Sequence, residues 1–202
     1  MAFAEMAGLL SEAKLDFAAS AHLLDHIDDM HMSPAKTALL REIGDPIFSQ
    51  TVRDQMINQQ FRRDYWVRGP RRLPSEDRKE ALRNLALVLA TPADSISLGI
   101  KTGRGDVKLS ERVYRPIIQT VAESGPVTLG RMAELLKDQG ISFGDIVQSA
   151  VVLCSNGSAH IAQTQEEVSR AAAPARALNE HIIGLSRSST DINFLASPIT
   201  GS

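Results

Sequence analysis

The sequence predicts a mainly α protein with minor β, a helical module followed by a winged-helix-like α+β domain. Three observations carry this expectation. Apolar residues recur at helical spacing through most of residues 1–92, with Pro and Gly at the breaks. The stretch 93–165 orders its patterns as strand, helix, helix, helix, strand. Residues 166–202 then read as one long helix and an extended tail. Hydrophobic residues make up 43% of the chain and aromatics only 4%, so the core must be built from Leu, Ile, Val, Ala and Met.

The elements follow in order. Met6, Leu9, Leu10, Ala13, Phe17, Ala21 and Leu24 keep a period near 3.6 and predict a long helix from Phe3 to Leu24. The same residues also allow a helix to about Leu15 followed by a strand through "LDFAASA". Ser33 and Pro34 then supply a cap and a first helical residue for a helix that closes at Gly44. Asp45 and Pro46 repeat the device, opening a helix with Phe48, Val52 and Met56 on one face, expected to run to about Gln60. Gly69 to Ser75 is a turn or loop, and a helix from Ser75 should continue through Leu82, Leu85, Ala86 and Leu89 to about Thr91-Pro92.

In the second half, "SISLGIKTGRGDVKL" alternates around a glycine-bearing turn and predicts a β-hairpin. A helix is expected from Arg115-Pro116 to about Glu123, with Ile117, Ile118 and Val121 inward, and "SGPVT" as a loop after it. Thr128 caps a helix bearing Leu129, Met132, Leu135 and Leu136, which Gly140 ends. Ser142 with Asp145 makes a capping box for a helix that buries Ile146, Val147, Ala150, Val151 and Leu153. Asn156-Gly157 turns into the strand "SAHIAQ", a helix covers Gln165 to Leu185, and the tail "DINFLASPITGS" should dock on another surface.

Composition narrows the function. A net charge of −2 gives no global attraction to nucleic acid or acidic membranes. The charge is unevenly placed: residues 1–30 hold six acids against Lys14, and residues 61–73 hold five arginines against Asp64. With one cysteine, Cys154, and no apolar run long enough to span a bilayer, the expectation is a cytoplasmic protein without disulfides.

Four chemical readings compete with plain structural ones. The third winged-helix helix, "FGDIVQSAVVLCS", offers Gln148, Ser149 and Asp145 but no Lys or Arg, so DNA reading gives way to a protein-contact scaffold. His22 and His26 sit at i, i+4 near His31, Asp25, Asp28 and Asp29, yet read better as solvated helix-end histidines than as metal ligands. Gly103 and Gly105 lack the third glycine and the following helix of a nucleotide loop. Cys154 shares an apolar stripe with Val147 and Val151 and reads as a core residue rather than a nucleophile.

The remaining candidate is "FRRDYWVRGPRRL", Phe61 to Leu73. Arg62, Arg63, Arg68, Arg71 and Arg72 can pair with carboxylates in two-pronged fashion, which serves docking as well as anion binding. If helical, Phe61, Tyr65 and Arg68 would share a face, with Arg62 beside Trp66. Docking or oligomer contact is the favoured use, ahead of a small anion or nucleic acid.

The wider stretch "TVRDQMINQQFRRDYWVRGPRRL" resembles the signature of the methyltransferase regulatory domain family, found behind an S-adenosylmethionine-dependent methyltransferase core. Arg53, Asp54, Asn58, Phe61, Arg62, Arg63, Asp64, Arg68, Gly69, Arg72 and Leu73 carry the resemblance. Residues 1–30 resemble the end of such a core, and the winged-helix-like part and "FLASPITG" resemble the family's C-terminal portion. The resemblance implies a regulatory role beside a protein-lysine-methyltransferase-like enzyme, through domain docking, dimerisation or substrate access. The implied partners are a methyltransferase catalytic domain in cis or trans, a second copy of the chain, and a protein substrate. The implied contact residues are Arg62, Arg63, Asp64, Trp66, Arg68, Arg71 and Arg72, with Asn58 and Phe61 as anchors. The glycine-rich cofactor motif is absent from the sequence, so S-adenosylmethionine is expected in a catalytic domain elsewhere and catalysis by this chain alone is not. A fragment of a longer protein, or a partner working in trans, fits that pattern. A winged-helix nucleic-acid-binding module is the alternative.

Overall fold

A computed structural model describes residues 2–102, 105–189, 191–192 and 194–202. Among them are eight α-helices and seven short strands, a mainly α chain with minor β. It forms two compact units: Met1–Arg78 with Ser97–Tyr114, and Lys79–Ile96 with Arg115–Ser202.

The first unit opens with α1, Phe3–Glu12, and β1, Asp16–Ser20. The long helix expected from Phe3 to Leu24 therefore does not form, and the shorter alternative holds. Lys14 takes a left-handed φ of 58°, which no continuing helix permits, and it turns the chain into the strand. Short 3₁₀ turns at Leu23–His26 and Asp28–Met30 lead to α2, Pro34–Glu42, and α3, Pro46–Ile57. Both helices start with Pro, and the Asp45 carboxylate accepts from the backbone N–H of Ile47 and Phe48. Asn58, in the left-handed region at φ 53°, ends α3 earlier than the periodicity suggested.

Residues Asp64–Val67 form β2, antiparallel to β1, with Phe17 opposite Trp66 and Ser20 opposite Asp64. The helical arrangement of Phe61, Tyr65 and Arg68 is thus replaced by strand alternation. Asp64 and Trp66 are partly covered, while Tyr65 and Val67 are exposed. Next to the Ser20–Asp64 end of the ribbon, Ala21 N–H donates to the Arg63 carbonyl at 2.8 Å. The α1 helix packs on β1 and α3, and α2 packs on α3. The expected hairpin forms from β4, Gly99–Thr102, and β5, Gly105–Lys108, and it lies in this unit. The turn positions Gly103 and Arg104 lie outside the described residues.

The second unit contains most of the large buried side chains, among them Leu87, Ile117, Met132, Ile146 and Leu153. Helix α4, Ser75–Asn84, ends before the sequence suggested, and Ala86–Leu89 is β3 rather than its last turns. The reason is non-local. β3 lies between β6, Val127–Thr128, and β7, Ala159–Ala162, with Leu87 facing Val127 on one side and Ile161 on the other. A strand paired on both edges tolerates a continuous apolar run, which helical periodicity mimics over so short a stretch.

Helix α5, Glu111–Ser124, starts a turn earlier than expected and keeps Pro116 inside it. Ile117, Ile118 and Val121 are buried on this helix, as expected. β6 occupies the expected "SGPVT" loop, and Thr128 caps α6, Leu129–Leu135, by accepting from Arg131 N–H. Gly140 follows at φ 67°, and the Ser142–Asp145 capping box opens α7, Phe143–Ser155. Within α7 the inward residues are Ile146, Ser149, Ala150, Val152 and Leu153, whereas Val147 and Val151 are only partly covered.

Helix α8 spans Gln165–Leu185. The tail returns along it: the Asn179 amide exchanges two hydrogen bonds with the Ala196 backbone, at 2.9 and 2.7 Å, and Gln163 N–H donates to the Ile199 carbonyl at 2.7 Å. Part of the tail thus docks within its own unit, while Phe194 stays 70% exposed. No helix among the described residues is long and apolar enough to cross a membrane.

Candidate functional site

The arginine-rich motif divides by strand alternation into an inward and an outward set. Arg62 points inward. Its Nε and Nη2 donate to the two Asp64 carboxylate oxygens at 2.9 and 3.1 Å, its Nη1 to Asp54 at 2.7 Å, and its Nη2 to the Gln50 amide oxygen at 3.0 Å. The guanidinium carbon lies 4.3 Å from the centre of the Phe3 ring. Phe3, Phe17 and Trp66 form an aromatic cluster with centroids 5.0 to 5.6 Å apart, the Phe3–Trp66 pair stacked and the other two edge-on. One guanidinium therefore ties α3 to β2 and lies over a ring of α1. Burial pushes the Asp54 carboxyl above its ordinary value, and the neighbouring Arg62 pulls the other way.

Arg53, the other inward arginine, was absent from the contact residues proposed on sequence grounds. It is 5% exposed, donates from Nε to Asp28 at 3.2 Å and from Nη2 to the Asp25 carbonyl at 3.1 Å. Ser20 Oγ donates to Asp25 at 2.7 Å, closing a second ionic node behind β1. The signal was present in the sequence as the acids of residues 1–30, but which of the nearby arginines and lysines pairs with them depends on the tertiary fold.

The outward set is Phe61, Arg63, Tyr65 and Val67, continued by Arg68, Arg71, Arg72 and Leu73 in the loop after β2. Phe61 is 86% exposed and Tyr65 60%. Arg68 donates to the Ala13 carbonyl at 3.3 Å, at the C-terminal end of α1, where a cation is favourable. Of the contact residues expected from sequence, then, Arg62, Asp64 and Trp66 hold the unit together. Asn58 is a helix terminator, and Phe61, Arg63, Arg71 and Arg72 face outward.

The other candidates resolve as follows. His22 precedes the 3₁₀ turn Leu23–His26 rather than sharing an α-helix with His26. His26 Nε2 lies 3.0 Å from the Ser20 carbonyl and His31 Nε2 3.1 Å from the Leu24 carbonyl. Gly105 begins a strand rather than a helix. Burial pushes the Cys154 thiol up to about 11, which keeps it protonated at neutral pH and unsuited to attack.

Comparison with known proteins now bears on this geometry. Residues 1–68 match the predicted methyltransferase regulatory domain. The match contains both ionic nodes and the outward face up to Arg68. The rest of the expected motif, Gly69, Arg72 and Leu73, and the whole second unit lie beyond it. An uncharacterized protein of Synechocystis sp., sll1526, is 38% identical over 199 residues, 98% of this chain. The chain spans 39% of the length of that relative. Among solved structures, PKMT2 from Rickettsia typhi aligns with 79% of this chain and 35% of its own, at 16% identity and a TM-score of 0.47. The same protein in complex with AdoHcy aligns with 82% and 37%, at 14% identity and a TM-score of 0.46. Those two likenesses are too distant to transfer any residue's role onto the regulatory domain.

Proposed function

We propose that this chain is the regulatory, non-catalytic region of an S-adenosylmethionine-dependent protein methyltransferase, and that it docks on a methyltransferase catalytic domain, in cis or in trans. The match of residues 1–68 to the regulatory domain carries the reading. The outward face of β2 supports it, because a large exposed ring at Phe61 beside Arg63 and Tyr65 is the composition of an interface anchor. Residues Gly99–Thr102 pair with Gly105–Lys108 as a hairpin rather than opening a helix as a nucleotide-binding turn does, which supports placing S-adenosylmethionine in the catalytic domain.

The test is methyl transfer from labelled S-adenosylmethionine by a methyltransferase domain encoded in the same genome, with and without this chain. Binding of the chain should change the rate, and Phe61→Ser with Arg63→Glu should abolish both binding and the change. Absence of a complex with any such domain, together with an unchanged rate, overturns the proposal.

For the second unit, the sheet order β6-β3-β7 with α6 and α7 packed together supports a winged-helix-like scaffold. Its α7 has no Lys or Arg, and Ser149 is 1% exposed, so protein contact is favoured over duplex reading. Salt-dependent binding to duplex DNA in a mobility assay would reverse that preference.

A further inference from the structure

We infer that the face formed by α8 and the tail binds a second copy of this chain, with the two α8 helices antiparallel. Ile182 is the one buried side chain of this 21-residue helix, and Leu178 and Leu185 are exposed on it. A groove of about 690 Å³ runs between helix and tail, walled by Ala171, Pro174 and Ala175 of α8 and by Ala196 and Pro198 of the tail.

Size on this face is divided by position. The small walls of the groove belong mostly to the N-terminal half of α8, whereas Leu178 and Leu185 lie in its C-terminal half. The tail adds Phe194 and Leu195, both more than half exposed, at that C-terminal end. They lie there because the tail runs back along the helix, with Ala196 bonded to Asn179 and Ile199 to Gln163. A face with its hollow at one end and its bulk at the other fits a copy of itself turned end for end.

The spacing along α8 agrees. Glu167, Ala171, Pro174, Leu178, His181 and Leu185 follow one another at alternating intervals of four and three residues and share one stripe. A two-fold axis near Arg176 sets Pro174 against Leu178 of the second copy, Ala171 against its His181, and Glu167 against its Leu185.

Charge favours the same arrangement. Glu166, Arg170, Glu180 and Arg187 lie toward one flank of the stripe. Reversed about that axis, Arg170 comes level with Glu180 of the second copy, and Glu166 with its Arg187, each within one helical turn. A parallel pair would instead set each of these charges beside its own equivalent. Arg176, which meets itself at the axis, lies on the side of the helix away from the stripe.

The experiment is sedimentation equilibrium of the full chain at micromolar concentrations. The chain should sediment as a dimer, and Leu178→Glu should make it a monomer with an unchanged far-ultraviolet spectrum. Arg170→Glu and Glu180→Arg should each weaken the dimer about tenfold, because each reversal creates like-charge pairs, and both in one chain should restore it. A monomeric parent, a dimer that survives Leu178→Glu, or no rescue in the double variant would each overturn the inference. A monomer that loses binding to a methyltransferase domain on Leu178→Glu would give the face to that domain, which overturns it too. None of these substitutions touches the outward face of β2, so the two docking readings fail separately.

Discussion

Replacing Arg62 by Met is the sharpest test of how the first unit is held together. Methionine keeps an apolar stem against Phe3 and removes only the guanidinium, so four hydrogen bonds are lost with little loss of packing. The side chains of Arg62, Asp54 and Asp64 are 15%, 15% and 7% exposed, so solvent screens the pairs only slightly. Two carboxylates would be left in a largely buried site without their main cation. Removing one partner of such a group costs about 3–5 kcal/mol. The comparison is Arg63→Ala, one residue along and outward-facing, which should stay within about 0.5 kcal/mol of the parent. Trp66, the single tryptophan and a member of the ring cluster, reports unfolding of this unit by fluorescence in urea. Equal losses in the two variants would refute the inward–outward division.

The same variant carries a pH signature. The Asp54 carboxyl is raised by burial, so the folded state binds its proton more tightly than the unfolded state does. Stability from such a group is present at low pH and is lost as pH rises from the ordinary carboxylate value through the raised one. Arg62 is the largest influence opposing the rise, so in Arg62→Met the window widens upward. The penalty of the substitution should therefore be greatest at neutral pH and shrink as the solution is acidified into that window.

Three further outcomes follow from local geometry. Asp45→Ala removes the acceptor for Ile47 and Phe48 N–H at the start of α3 and should cost about 1 kcal/mol in urea unfolding. Lys14→Gly relieves a side chain held at φ 58° and should stabilise the first unit by about 0.5–1 kcal/mol, despite glycine's greater freedom when unfolded. Cys154, pushed from 9.0 up to about 11, should react with iodoacetamide at neutral pH roughly a hundredfold more slowly than an unperturbed thiol, as mass spectrometry can time.

What could be read from the sequence was what local chemistry decides. The Pro starts of α2 and α3, the Ser142–Asp145 and Thr128 caps, the β4–β5 hairpin and the bounds of α8 all follow from neighbouring residues. The failures were at strands whose partners are distant. Ala86–Leu89 looks like the end of a helix until Val127 and Ile161 are placed beside it, and nothing local to Asp64–Val67 marks it as a strand until Phe17 faces Trp66. Arg53 was passed over for a related reason, since a buried arginine is identified by the carboxylates around it, and Asp25 and Asp28 lie 28 and 25 residues away.

The division of the arginine-rich motif has a consequence for how docking can be tested. Between residues 61 and 67 the chain alternates exposed and covered positions, so adjacent arginines have different physical roles. Arg62 neutralises Asp54 and Asp64; Arg63 stands on the face with Phe61 and Tyr65. Reversing both charges at once would unfold the unit as readily as it would break an interface, and loss of assembly would then say nothing about contact. Reversing Arg63 with Phe61→Ser leaves both ionic nodes intact. An effect of that pair on methyl transfer, at unchanged stability, can come only from the outward face.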